Sequence, residues 1–506
     1  MTESRSKKFF YNTLFTALLQ VVNIIATLIV PKFMLKYYGS EINGLVTSIT
    51  QFITYFNLVE AGLSNAAIYA LYKPLAEKDD QRISEIVSAS KKFYIQAGYI
   101  FTALTVILAI VYPLYINLDG FSPYLISLLV VVLGGNGFLE FFTLAKYRVL
   151  LSADQKTYVI SIASIAHTLL QTLIISVMAY FEINIVLVRA IALSSILLRS
   201  VILAIYCKLK YKEVNYKATP DMKSLDKRWD AMFLQVLGAI HRGTTVVLLT
   251  IIVKDLMIIS VYAIFNIVIS GLHSILGIFN SGLAASFGEV IAKKEKRILQ
   301  KAYQEFEFGF YSIITFVFGI SFVMIMPFVN LYTIGITDAN YNMPLLGVMM
   351  VLNGFLYHLK TPQGMLVMSA GMYKETKYRT LTQGLIALVG GAILAFPLGI
   401  YGIILADILS NLYRDIDLCF FASKYITGLN PMKTIQNVAK SLLQMCLIVI
   451  PFYFIKLNIT SWFSWLFYAC AVAVYAGVIV LMIALIFDRI LLKGIIKRLK
   501  NIFKRN

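Results

Sequence analysis

Residues 9–31 read FFYNTLFTALLQVVNIIATLIVP, twenty-three residues without a single charge. At about 1.5 Å of rise per residue, a helix of that length crosses the ~30 Å hydrocarbon core of a bilayer. The run follows a basic start, MTESRSKK (1–8), is interrupted by Gln20 and Asn23, and lacks a small-x-small cleavage site. It therefore reads as a retained first span and not as a signal peptide. Working outward, thirteen more apolar runs follow, near 43–71, 93–115, 122–145, 158–180, 184–206, 231–253, 257–286, 306–327, 343–368, 380–397, 401–422, 438–455 and 462–487. The pattern predicts an all-α membrane protein of about fourteen transmembrane helices.

Composition agrees. A soluble domain carries about 25% charged residues. This chain of 506 residues carries 14%, is 59% hydrophobic and has a mean hydropathy of +0.78. The net charge of +19 does not point to nucleic acid, because the basic residues sit in short connectors between apolar runs. Of 45 Lys and Arg, 36 fall on the side of the N-terminal arm, and only Lys32, Lys36, Lys254 and Lys456 fall on the other. Positive charge stays inside, so a multi-pass protein of the bacterial inner membrane with both termini cytoplasmic is expected. Cys207, Cys419, Cys446 and Cys470 form no CxxC pair, and neither a disulfide framework nor a metal site is expected.

The longest connector, 207–230, divides the chain, and weak self-similarity supports the division. Gly62-Leu63-Ser64-Asn65-Ala66 matches Gly282-Leu283-Ala284-Ala285-Ser286; Leu151-Ser152-Ala153 matches Met368-Ser369-Ala370; Leu193-Ser194 with Arg199 matches Leu409-Ser410 with Arg414. All three matches share an offset of 215 to 220. Six spans per half gives both halves one orientation, so a pseudo-two-fold axis along the membrane normal is expected. The expected organisation is an N-terminal six-helix half (1–206), a cytoplasmic linker (207–230), a C-terminal six-helix half (231–424), two additional helices (425–487) and a basic tail (488–506). The tail alternates basic and apolar residues, as an amphipathic helix on anionic lipid does, or a plain positive-inside anchor.

No P-loop GxxxxGK[ST], HExxH or GxSxG occurs, so neither an enzyme nor a bound cofactor is expected. The informative residues are charges inside spans, each costing about 3 kcal/mol or more at the bilayer centre unless it meets a cavity or a partner. Arginine keeps its charge and grips phosphate with a fork of donors. Arg189, Arg199, Arg242, Arg414 and Lys360 are therefore the expected substrate-binding residues, and an anionic cargo suits them. Glu60, Glu140, His241 and Asp407 are the expected ion-coupling residues. His167, His273 and His358 are further candidate proton carriers. Blander readings stand beside these: Arg414 paired with Asp415 or Asp417, Arg199 snorkelling, and Lys360 at a helix break beside TPQG (361–364). The glycine runs LGGNGF (133–138), LNGF (352–355) and VGGA (389–392) mark either broken helices or close packing.

The local text resembles the polysaccharide-transporter branch of the multidrug/oligosaccharidyl-lipid/polysaccharide exporter (MOP) superfamily. Gly39-Ser40-Glu41-Ile42-Asn43-Gly44-Leu45 resembles that family's Gly-x-x-x-x-Gly-Leu lead into span two. Leu58-Val59-Glu60-Ala61-Gly62-Leu63-Ser64 resembles its segment closing span two, and Tyr147-Arg148-Val149-Leu150-Leu151-Ser152-Ala153-Asp154 its exit from span four. The resemblance implies alternating access and an undecaprenyl-diphosphate-linked glycan as cargo, flipped for O-antigen, capsule or exopolysaccharide assembly. A polymerase of the same pathway is an implied partner. A lipid II flippase and a cation-coupled multidrug exporter of the same superfamily are the competing expectations.

Overall fold

The computed structural model describes residues 5–61, 63–116, 118, 120–222, 243–455 and 457–495, with the backbone alone at 5–6, 278–285 and 373. His241 and Arg242, the linker from 223 onward and the tail from 496 onward lie outside the described residues. Within them the chain is helical, with no strand. In order come α1 (Arg5–Phe56), α2 (Leu63–Glu77), α3 (Asp80–Tyr115), α4 (Pro123–Leu139), α5 (Ala145–Ala153), α6 (Thr157–Tyr180), α7 (Ile185–Ala192), α8 (Ser194–Lys210) and α9 (Gly243–Val253). Then follow α10 (Leu256–Ala292), α11 (Lys296–Tyr332), α12 (Pro344–Leu359), α13 (Thr361–Ser369), α14 (Tyr373–Leu385), α15 (Gly391–Leu398), α16 (Ile400–Ala422), α17 (Pro431–Phe454) and α18 (Trp462–Phe487). Ten helical stretches among the described residues are long and apolar enough to cross a membrane. The protein is a multi-pass membrane protein.

Two compact units divide the chain, Met1–Ser260 and Val261–Asn506. In the first, α1 bends at Gly39, whose φ of 82° only glycine adopts cheaply. The first and second expected spans lie on either side of that bend. A 3₁₀ turn, Asn57–Glu60, and extended backbone at Ala61 then separate α1 from α2, where the sequence suggests an unbroken run to residue 71. Side-chain bonds from α1 reach the α6 region in rising order. Lys8 meets Asp154, Asn12 meets Gln155 and Tyr158, Thr16 meets Ser161, Asn23 meets Thr168 and Tyr38 meets Ile183. The separation in sequence stays close to 145 throughout, so α1 and α6 run parallel and in step. Asn23, a polar interruption of the first span, finds its partner here.

The glycines of 133–138 do not break their helix. Gly134 and Gly137 face Thr105 and Phe101 of α3 so closely that an added Cβ would lie 2.4 and 2.3 Å from those side chains. Small residues let two membrane helices approach. The helix widens only afterwards, in a π-helical turn over Glu140–Leu144 that joins α4 to α5. The second half of α1 also packs on α9 and the start of α10. Asn43 Nδ2 donates to Ser260 Oγ at 2.8 Å, and Ser48 Oγ lies 2.7 Å from Thr250 Oγ1 while accepting from Tyr112 at 2.9 Å.

In the second unit α11 is the central support. Over 37 residues it packs on α12, α17 and α18, so both additional helices expected at the C-terminus are built onto it. Gly354 of α12 abuts Phe318, again packing and not breakage. The TPQG segment does break a helix: α12 stops at Leu359 and α13 begins with Pro362 in its first turn, where a missing N–H costs nothing. The GG of 390–391 sits where a second π-helical turn, Ile386–Gly390, passes into α15.

Candidate functional site

Charged side chains gather in one cluster per unit. In the first unit the π-helical turn presents Glu140. Its Oε1 accepts a hydrogen bond from Arg148 of α5 and lies 3.9 Å from a guanidinium nitrogen of Arg199 on α8. Thr143 and Ser200 touch at 2.6 Å and tie the turn to α8. Glu60, at the end of the 3₁₀ turn, lies in the field of Arg148 and Glu140. Two expected residues, Glu140 and Arg199, therefore meet, with Arg148 bonded to Glu140, and Glu60 lies close enough for its charge to interact with them. Sequence reading places Arg148 in a connector and so overlooks it; the helix in fact continues to Ala153. Side-chain exposures of 30%, 31% and 14% for Glu140, Arg148 and Arg199 leave this cluster partly open.

Arg189 stands apart from that cluster, on the short α7. Its titratable neighbour is Tyr38, and its buried Nε has no hydrogen-bond partner among the described residues. Outside the spans, Asp154 caps the base of the first unit. It pairs with Lys8 at 2.8 Å and Lys156 at 2.6 Å and accepts from Tyr211 at 2.6 Å. Burial alone would raise its pKa, but the hydrogen bonds from Lys156, Lys8 and Tyr211 outweigh burial and hold it below the usual carboxylate range.

In the second unit α16 carries Asp407, Asn411 and Asp415 at successive i, i+4 positions, hence on one face. Lys360, at the α12–α13 break, points its ammonium there. It donates to Asn411 Oδ1, lies 4.7 Å from the centre of the Tyr357 ring, and feels Asp415 and Asp407. Asn411 donates in turn to Asn353 at 2.8 Å, and Ser410 to the Gln383 carbonyl at 2.8 Å. Arg414 behaves differently. It donates to Asp417 at 2.6 Å, one turn along α16, and to Thr380 at 3.1 Å, and Asp417 also receives Arg379. Of the two acids open to Arg414 on sequence, the structure selects Asp417. The expected residues Lys360, Asp407 and Arg414 thus share one site. Sequence reading follows charge and so overlooks its amide members Gln383 and Asn411, and it takes Asn353 only as part of the LNGF glycine run.

A further acid, Glu307 on α11, is 1% exposed and accepts from Tyr303, Gln363, Thr434 and Asn437 at 2.6 to 3.0 Å. It binds α13 and α17 to α11. Sequence reading assigns it to the edge of span nine; the signal was the i, i+4 row Tyr303-Glu307-Tyr311. Among the described residues no group of three or more His, Cys, Asp or Glu is placed to hold a metal ion.

No family model matches the sequence, and no curated protein matches it either. Solved structures do. A lipid II flippase, MurJ, in its inward closed conformation aligns with 95% of this chain and 99% of its own, at 13% identity and a TM-score of 0.65. An inward-facing multidrug resistance MATE family transporter of the MOP superfamily aligns with 83% of this chain and 96% of its own, at 14% identity and a TM-score of 0.63. A MATE protein in a bent conformation gives 0.57 at 13% identity, over 86% and 97%. At these identities the likeness establishes the fold alone, which is the one these transporter structures share.

Proposed function

We propose that this chain is a MOP-superfamily transporter that carries an undecaprenyl-diphosphate-linked oligosaccharide repeat unit from the cytoplasmic to the outer leaflet, for O-antigen, capsule or exopolysaccharide assembly. The observation that carries this reading is two half-buried cations, Lys360 and Arg189, that form no ion pair among the described residues. Arg189 meets no carboxylate among the described residues, and Lys360, with Asp415 and Asp407 nearby, is bonded only to a neutral amide; holding a cation out of water on such partners is costly. A diphosphate cargo offsets that cost in transit, whereas a cationic drug would add to it. Arg199 and Arg414, each already facing a carboxylate, serve the cargo less directly; Arg242 completes the expected set.

The proposed topology is fourteen crossings with both termini cytoplasmic, two equivalent six-helix halves and two added helices. The ten stretches counted above bear on the number of crossings. The first, Lys7–Glu77, holds two expected spans. α12 has only 16 residues, α16 carries Asp407, Arg414, Asp415 and Asp417, and the seventh span begins outside the described residues. These account for the shortfall.

The test is complementation of a deletion strain. Lys360→Ala and Arg189→Ala, alone and together, are expected to abolish surface polysaccharide and to accumulate lipid-linked precursor on the cytoplasmic leaflet, with the protein still in the membrane. Normal polymer in the double variant would overturn the reading. One observation favours a second reading, a lipid II flippase: the MurJ likeness extends over nearly the whole of both chains. Deletion that arrests wall synthesis, in place of losing a dispensable polymer, would select it.

A further inference from the structure

Two histidines of the second unit face one another. His273 of α10 and His358 of α12 place Nδ1 and Nε2 2.7 Å apart, a hydrogen bond between two imidazoles. His358 is 2% exposed. Their surroundings are aromatic: Tyr357 lies 4.6 Å from His273 and 5.2 Å from His358 between ring centres, and Phe318 and Phe310 of α11 lie 5.9 and 6.3 Å from His358. Among the described residues, the charged groups nearest this box are on other turns and helices. Lys360 sits two residues beyond His358, over the Tyr357 ring, and Asp415, Asp407 and Arg414 of α16 act on that lysine. From α11, Tyr311 donates its hydroxyl to the Leu359 carbonyl, and through Gln363 it connects to Glu307.

We propose that His273 and His358 form a single-proton site, which deepens the transporter reading by naming where a coupling proton resides. The stoichiometry follows from the geometry. Two neutral imidazoles carry one N–H each, and one of those two hydrogens lies on the line between Nδ1 of His273 and Nε2 of His358. A third proton, taken from water, leaves that bond intact. The bridging hydrogen stays, the outer nitrogens Nε2 of His273 and Nδ1 of His358 each bear a hydrogen, and the pair gains one positive charge. A fourth would set two N–H groups against each other at 2.7 Å and force the helices apart. The pair therefore holds one proton and no more.

Loading also has a structural consequence. His358 Nδ1 is buried with no hydrogen-bond partner among the described residues. In the loaded pair it must be a donor, and a buried donor without an acceptor is costly. The loaded site needs water or a shifted α12 to satisfy it. Proton uptake is thereby linked to the packing of α10 against α12.

The test is nitrogen-15 NMR of the full chain in lipid nanodiscs, labelled at histidine alone, so that four imidazoles are read. On titration from about pH 9 to about pH 4, His273 and His358 are expected to move through one shared midpoint with uptake of one proton, retaining nitrogen–nitrogen coupling across the bond. His358→Gln is expected to move the His273 midpoint by about one pH unit or more, and His167→Gln to leave both unchanged. Two independent midpoints, or no titration of either residue across that range, would overturn the site. The wild-type readings decide this without any variant, and independently of which cargo the transporter carries.

Discussion

Each unit contains one carboxylate gripped by two arginines, yet the two are built differently. Glu140 draws Arg148 and Arg199 from separate helical segments and remains about a third exposed. Asp417 draws Arg414 from its own helix and Arg379 from α14, with only 7% of its side chain exposed and 8% of Arg414. Arg199 and Arg414 are the two arginines that the internal repeat equates, 215 residues apart. Both arginines meet an acid, but Asp417 stands on the helix of Arg414, whereas Glu140 stands on a different segment from Arg199. The lesson concerns assignment. An intramembrane arginine marks a charged site, but its spare capacity for a ligand depends on what the neighbouring helices bring. Arg414 is bonded to Asp417 and Thr380, whereas Lys360 is bonded to an amide and lies over a ring, with Asp415 and Asp407 nearby.

That contrast can be broken by removing the acids. Asp417→Ala strands two guanidiniums, one of them deeply buried, and is expected to cost about 3 kcal/mol, read as a lowered unfolding midpoint of the purified protein in detergent. Glu140→Ala strands the same number of charges in a more open setting and is expected to cost about 1 kcal/mol. Equal losses would show that exposure does not distinguish the two clusters. Substituting lysine for arginine sharpens the point. Arg414 uses two nitrogens, on Asp417 and Thr380, so Arg414→Lys is expected to lose one of those bonds, about 1 kcal/mol. Arg199 makes only a long contact at 3.9 Å, and Arg199→Lys is expected to leave the midpoint nearly unchanged.

An effect confined to low pH is expected outside the clusters. Asp154, its pKa held down by Lys156, Lys8 and Tyr211 against the opposing effect of burial, contributes stability above the ordinary carboxylate pKa. That contribution is lost as pH falls through its lowered value. Asp154→Asn is therefore expected to flatten the acid limb of the unfolding midpoint against pH and to leave the basic limb alone. An unaltered acid limb would remove Asp154 from the account.

Much of the fold is legible in the sequence because membrane helices obey a simple constraint: without water, every backbone polar group must be satisfied inside its own segment. Runs such as 9–31 and 462–487 announce themselves for that reason, and parallel packing of α1 on α6 agrees with two odd-numbered spans. The glycine runs were ambiguous, since a glycine that breaks a helix and one that admits a neighbour look alike until the neighbour is seen. Phe101 and Phe318 supply that answer for Gly137 and Gly354.

The sequence by itself determined that this is a helical membrane protein and which residues are too polar to sit in lipid unaccompanied, because both depend on transfer from water to hydrocarbon, residue by residue. Only the tertiary structure decided their partners. That Arg379 reaches Asp417, that Lys360 rests on Asn411, that Glu307 gathers donors from α13 and α17 and that His273 meets His358 are facts about helices apart in the chain. Hydrogen bonds act over about 3 Å and in fixed directions, and no pattern along a single helix encodes what the next helix will place there.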